Sequence, residues 1–558
     1  MQKRANIVYS YILLTIVLFA LGWLAQSSLT FFSNDTGLRF LQIRELIAHR
    51  WQTFAVDYPA RFLDPELAHP PFYYAYSLLD GEFYLQIAPF LPLLTSFAYA
   101  AVGRWGLPLL PVLGGVLTAV ATYKLGVLAQ VKYSRLLLWM AVFATPILFY
   151  SLELWDHTLA VACGMWAVYG IARGILSERW QPVLWGGVAA GLGLGQRPEM
   201  YVFVIALTLA LLVVAWRRWQ LWLAYVGGGV LGTLPVWWLQ YRWVGHPLGM
   251  AFAPHFFGYG RPEAYPVQSY SDVTITQAIK ISRLLLYIEA RDAVTFLAAL
   301  FVIIGAFLLI MALRVPRWRQ RRWLWSGLAL SVLGYGLFLW QAWDHLLPGV
   351  LTTFPLFSLA LAYVDRSDDP RPTHRVYQLV FVTALSFLGV MLAVWPAFGG
   401  EQWGARYLLP LYPLLLLLAF YVVTVWERPL STTMTTLAAG LLLLSVLLQL
   451  SGARLLFRKH QEQIEDKIVV SALPAKLILT NSPFLPSFMA ALDDKLFMYV
   501  ENEQDVADLI SRMAQNQVEQ FALVLVTGRP LTVPQQVGDV AIREIQPFVY
   551  QLSTTHEP

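Results

Sequence analysis

The run AVTFLAALFVIIGAFLLIMAL (residues 293–313), the link RVPRWRQRR (314–322) and the run WLWSGLALSVLGYGLFLWQAW (323–343) decide which solvent this chain folds in. A helix rises about 1.5 Å per residue, so each apolar run is long enough to cross a hydrocarbon core of roughly 30 Å. A helix also satisfies its own backbone there, where no water can. Arg314, Arg317, Arg319, Arg321 and Arg322 fill the link. An excess of Lys and Arg marks the cytoplasmic side of a membrane protein, so the segment reads as a helical hairpin with a cytoplasmic turn.

Composition extends this reading to the rest of the chain. Of 558 residues 58% are hydrophobic and 13% are charged, far below the roughly 25% charged of soluble domains. Comparable apolar runs lie at 7–32, 108–129, 136–152, 158–174, 182–196, 200–215, 221–240, 347–364, 377–396, 407–425 and 431–452. The expected fold class is an all-α polytopic membrane protein of about 13 spans with a small C-terminal soluble α/β domain. Lys3 and Arg4 precede the first run, which is longer than a secretory signal and reads as an uncleaved anchor with a cytoplasmic N-terminus. The links that then fall on the same side carry Lys132 and Arg135, Arg173 and Arg179, Arg217 and Arg218, Arg366, Arg371 and Arg375, and Arg428. Counting 87–102 as a further span would put the five arginines outside, so that stretch reads as a juxtamembrane or re-entrant element broken by Pro89 and Pro92.

An odd number of spans places the C-terminus outside the cytoplasm. The expected division is a transmembrane domain over 1–455, with large outer loops at 33–107 and 241–292, and an extracytoplasmic α/β domain over 456–558. In the latter KLILT, KLFMYV and FALVLVT are strand-like and 505–514 is amphipathic. It holds no glycine-rich phosphate loop or metal-ligand motif, which points to packing or docking. The net charge of +5 serves orientation and headgroup contacts, and no nucleic-acid partner follows from it. Cys163 is the only cysteine, so an internal disulfide is excluded.

The polar residues of interest gather on the outer side. Asp35, in SNDTGLRFLQIREL, follows the first span and opens an amphipathic helix, where capping that helix is its alternative task. Glu153, Asp156 and His157, in SLELWDHTL, sit at the mouth of two apolar helices, where charge is costly and usually has a task or a partner. Arg197 and Glu199, in GLGLGQRPEM, occupy the next outer turn, and their mutual pairing is the plain alternative. The long loop after Tyr241 holds His246, His255, Arg261 and Glu263 among aromatic rings that suit sugar faces or a membrane interface equally. Its two histidines and a carboxylate match no Zn²⁺ template, so a divalent metal is left open and no other cofactor is expected. AWDHLLPG repeats the WDH triplet at Asp344 and His345. The last outer turn, WPAFGGEQWGARYLLPLYPLL, carries Glu401, Arg406 and Tyr407. The Arg406 guanidinium keeps its charge and can chelate two phosphate oxygens of a lipid headgroup; pairing with Glu401 is its alternative.

HPPFYYAYSLLDG, TPILFYSLELWDH, GLGLGQRP, GHPL and GGEQWGARYLLP occur in this order between about residues 30 and 425. In that order the chain resembles GT-C glycosyltransferases, specifically bacterial relatives of the protein O-mannosyltransferases and aminoarabinose transferases. The resemblance implies a cell-membrane enzyme that inverts configuration as it moves a sugar from a polyprenyl-phosphate donor to a lipid, glycan or protein acceptor on the outer face. It implies Asp35 as general base and Asp156 as the second-loop acid, which positions the acceptor, the base or a metal. Arg406 and Arg197 would hold the leaving phosphate, with His157, His246, His255, Glu401 and Tyr407 lining the substrate. Thr36 follows Asp35 where eukaryotic O-mannosyltransferases carry a second acid, so the resemblance stops at the class. A transporter would instead place charges at mid-membrane in inverted repeats. A polymerase or ligase of lipid-linked glycans differs only in its donor.

Overall fold

The computed structural model describes the chain except residues 1, 27, 73–74, 261–276, 287–292, 364–372, 395–401, 526–529 and 555–558. The chain divides into two compact units, one of residues 1–25, 88–249 and 266–458, the other of 26–87, 250–265 and 459–558. The contacts thus group the first long loop with the C-terminal residues, across the division drawn at 455 from composition.

The first unit is helical. Among the described residues eight helices are long and apolar enough to cross a membrane, among them Asn6–Gln26, Leu109–Leu128, His157–Ser177, Trp219–Val244, Ala293–Arg314, Arg321–Gln341 and His374–Val394. Trp180–Leu194 and Glu199–Ala215 are shorter helices between them. Trp180–Leu194 meets Trp219–Val244 along glycines: a Cβ on Gly187 would stand 2.3 Å from the Tyr225 carbonyl and one on Gly228 2.0 Å from that of Leu184. Small residues let two backbones approach this closely where lipid offers no hydrophobic drive to association.

Prolines divide two of the expected spans. The run at 136–152 becomes Ser134–Phe143 and Ile147–Ser151, interrupted at Thr145–Pro146. That at 347–364 becomes Val350–Thr353 and Phe357–Leu361 around Pro355, and is not one continuous helix. Proline lacks the donor for the preceding turn and pushes the residue before it out of helical geometry. The stretch at 87–102 is helical over Phe90–Val102, at about 20 Å too short to cross the hydrocarbon core. Pro89 stands as its cap and Pro92 in its first turn, so the prolines start this helix and do not break it.

Helical backbone continues over Leu411–Ala472, yet this is not one rod. The Thr353 hydroxyl lies 3.4 Å from the Tyr412 hydroxyl, and the Thr353 carbonyl accepts from Gln449 Nε2 at 2.7 Å. A straight helix would separate Tyr412 and Gln449 by more than about 50 Å. The chain therefore reverses direction somewhere between Tyr412 and Gln449, the interval in which the sequence places the link bearing Arg428.

The second unit is mixed. Strands β1 (Ala55–Val56), β2 (Tyr76–Leu79) and β3 (Glu82–Leu85) form a small antiparallel sheet in the order β1-β3-β2. The C-terminal residues contribute β4 (Leu477–Thr480), β5 (Leu496–Tyr499), β6 (Gln520–Val524), β7 (Gln536–Val537), β8 (Val540–Gln546) and β9 (Val549–Thr554), ordered β5-β4-β6-β9-β8-β7. β4 lies parallel to β5 and β6, and β8 runs antiparallel to β9. Helix Glu503–Gln515 starts at the Asn502 cap, which accepts from the Asp505 N–H. It buries Val506, Leu509, Ile510 and Met513 in one core with Leu38, Val56, Phe83 and Met498, so loop and C-terminal residues share a hydrophobic interior.

Candidate active site

In the first unit the site is built on the two proline breaks. Pro146 ends one helix, and Ile147–Ser151, wholly buried, turns the chain so that Asp156 stands just before helix His157–Ser177. Thr158 pins that helix by donating to the Pro111 carbonyl at 2.8 Å. Asp156 is fully buried and meets two side chains. Arg197 Nη1 donates to Asp156 Oδ1 at 3.3 Å, and His157 Nδ1 lies 3.5 Å from the same oxygen. Arg197 Nε also donates to Glu199 Oε1 at 3.0 Å. The pairing of Arg197 with Glu199 offered by the sequence is therefore present, and Asp156 joins it. Such a buried group of charges holds only while every member is matched.

The His157 ring packs 4.8 Å from Tyr150 and 5.3 Å from Trp155. Arg197 and Arg406 both lie on the ring of Tyr407, at 5.8 and 5.0 Å from its centroid, and Arg406 Nη2 also donates to the Tyr407 hydroxyl at 3.1 Å. Asp156, His157, Arg197, Arg406 and Tyr407 thus fall into one chain of contacts although they come from three separate stretches of sequence.

The turn that carries Arg406 is held from several sides. Gly404 has φ +68 and its N–H donates to the Leu347 carbonyl at 2.8 Å. A Cβ there would strike Pro146 at 2.5 Å and the Tyr412 hydroxyl at 2.8 Å, so only glycine fits. The Ala405 N–H donates to the Tyr412 hydroxyl at 3.0 Å, and the Trp403 indole donates to Gln449 Oε1 at 3.0 Å. Trp403, Tyr412, Gln449 and Thr353 escaped the sequence reading, because pairings between distant stretches leave no periodic signal.

His246 lies past the Gly245 end of helix Trp219–Val244, its Nδ1 accepting from the Leu248 N–H at 3.2 Å. His255 belongs to the short helix Ala253–Phe257, but its side chain, like all of Glu401, lies outside the described residues. The second WDH triplet is not equivalent to the first: Asp344 is exposed and bonds Arg458 at 2.5 Å, whereas Asp156 is buried.

In the second unit Asp35 lies in the first turn of helix Asn34–Ala48, where a negative charge suits the helix dipole. Ser33 is the cap residue. Its N–H donates to Thr36 Oγ1 at 3.2 Å, and that hydroxyl donates to the Ser33 carbonyl at 2.8 Å. The cap position assigned as Asp35's alternative task thus belongs to Ser33. Arg39 Nη1 donates to the Asp35 main-chain carbonyl at 2.8 Å. Among the described residues Glu45, His49 and Asp57 have ligand atoms within 4.8 Å of one another. His49 Nε2 and Asp57 Oδ1 already pair at 3.2 Å. Burial, and then the charge of Asp57, push the Glu45 carboxyl above its ordinary range.

No known protein-family model matches the sequence, and no curated protein does. Solved structures do. ArnT from Cupriavidus metallidurans bound to undecaprenyl phosphate superposes with a TM-score of 0.50 at 12% identity, over 98% of each chain. An oligosaccharyltransferase from Archaeoglobus fulgidus gives a TM-score of 0.47 at 11% identity, over 92% of this chain and 69% of its own. At this identity the ArnT likeness speaks for architecture: the chain is a multi-pass membrane protein with a GT-C-like fold.

Proposed function

We propose that this protein is a membrane glycosyltransferase that moves a sugar from a polyprenyl-phosphate donor to a hydroxyl acceptor outside the cytoplasm, with inversion. One observation carries the reading: the chain shares its architecture, end to end, with a transferase solved with undecaprenyl phosphate. The site chemistry supports it. Asp35 takes the proton of the acceptor hydroxyl as its oxygen bonds the anomeric carbon, and the bond from that carbon to the phosphate oxygen breaks. The departing polyprenyl phosphate gains negative charge, which the guanidinium groups of Arg406 and Arg197 stabilise. Asp156 and Glu199 fix the direction of Arg197. Tyr407 lies under both arginines, and His157, with Tyr150 and Trp155, gives a polar and aromatic lining of the kind sugars pack on.

The test is purified protein supplied with undecaprenyl-phosphate-linked mannose, glucose and 4-amino-4-deoxyarabinose, against lipid and peptide acceptors. Release of undecaprenyl phosphate coupled to acceptor glycosylation is expected with at least one donor, and its loss in Arg406→Ala. Nucleotide sugars used in preference to all three lipid donors would overturn the reading.

A further inference from the structure

We infer that the C-terminal residues from Lys459 onward are the positioning scaffold of helix Asn34–Ala48, and so of Asp35; this rests on the base role proposed above. They hold the helix at its approach, its first half and its second half. On the approach, Lys467 Nζ donates to the Ser28 and Leu29 carbonyls at 3.2 and 3.3 Å, and the Phe31 N–H donates to Gln463 Oε1 at 2.9 Å. Two residues past Asp35, Gly37 rests on main chain: a Cβ there would stand 2.0 Å from the Ser487 carbonyl oxygen and 2.6 Å from its carbon. Further along, Arg44 Nη1 donates to the Ala490 carbonyl at 2.6 Å and meets Asp493 Oδ1 at 2.5 Å.

Gly37 is the informative residue. It sits inside a helix at no positive φ, where alanine would ordinarily be preferred. The space is denied by backbone, which cannot rotate aside as a side chain would. A methyl group at 37 must therefore move the helix, and Asp35 with it, away from Ser487. The α/β residues need no ligand site of their own to matter for the reaction, because they set where the base stands.

The experiment uses full-length Gly37→Ala, Arg44→Ala, Arg44→Lys and Asp35→Asn. Hydrogen exchange over 34–48, binding of undecaprenyl phosphate and turnover on the donors named above are measured for each. Gly37→Ala and Arg44→Ala should exchange faster over 34–48 and lose about tenfold or more in kcat, since misplacement of a reacting group by about 1 Å can cost that much. Their undecaprenyl phosphate affinity should stay within about twofold, a split that general unfolding would not give. Arg44→Lys should recover part of the rate by keeping one donor. Unchanged exchange and kcat in Gly37→Ala, beside an inactive Asp35→Asn, overturn the scaffold and leave the base standing. An active Asp35→Asn overturns both. Should Gly37→Ala fail to fold, Arg44→Ala decides by the same readings.

Discussion

Asp156 and Arg197 meet at 3.3 Å with both side chains buried, 41 residues apart in sequence. Removing the cation alone takes from buried Asp156 and Glu199 the guanidinium that pairs with both. Arg197→Ala should therefore cost about 3–5 kcal/mol, read as a lower unfolding temperature in detergent. Adding Asp156→Asn and Glu199→Gln to it should restore much of the loss. A triple variant as unstable as the single one would show that charge matching is not what Arg197 supplies.

Asp35→Asn should abolish transfer while leaving the fold and donor binding in place. The cap bonds belong to Ser33 and Thr36, so the amide disturbs no start of helix; it simply cannot accept a proton. Near-normal turnover in liposomes would remove Asp35 from the chemistry. The same change at Asp156 should be severe and leave a residue of activity.

Arg406 tests the phosphate reading. Arg406→Ala should weaken binding of undecaprenyl phosphate by about tenfold or more, and Arg406→Lys by less, because the lysine keeps the charge and loses the two-pronged geometry. Equal affinity in wild type and Arg406→Ala, with Glu401→Gln matching Arg406→Ala in stability, would assign Arg406 to closing its turn.

Glu45 gives a pH signature. Burial and Asp57 raise its folded-state pKa above the unfolded value, so the folded chain prefers Glu45 protonated. Its contribution to stability is full below the unfolded pKa and is lost as pH rises through the folded one. Glu45→Gln, which imitates the protonated form, should raise the unfolding temperature relative to wild type at about pH 7–8, with the gain vanishing near about pH 4. A gain that is the same at both ends would refute the assignment.

We propose, from the charge pattern of the links, that the C-terminus lies outside the cytoplasm. A reporter fused after Pro558 that is active only in the cytoplasm should stay silent, and a signal from it would invert the topology.

Sequence showed most of the membrane architecture because burial in lipid demands long apolar helices, and lipid tolerates little else. It expected a link in the interval between Tyr412 and Gln449 for the same reason, and the contacts of those two residues require the chain to reverse within it. It failed at Pro355, where an apolar run of ordinary span length folds as two short helices. For the candidate site, charge at helix mouths pointed to Asp156, Arg197 and Arg406, which the fold links through Arg197 and Tyr407. It could not separate Asp156 from Asp344, since the same triplet is buried in one place and bonded to Arg458 at the surface in the other. Gly37 was unreadable for a different reason: a glycine within an amphipathic helix reveals its purpose only when Ser487 is seen against it.

The second unit is drawn from 26–87, 250–265 and 459–558. Its shared core needs Leu38 and Phe83 together with Met498 and Phe521. Domains generally form as the ribosome delivers them, N-terminal part first, but here the core residues at 38–87 must wait for those from Leu477 onward before their interior can close. Asp35 is translated long before Ser487, Ala490 and Asp493, which the inference above makes the seat of its helix, so a chain ended before them would carry the acid without its seat. Competence for transfer would then be acquired only once those residues are made, and copies ended before them would be silent without any separate control.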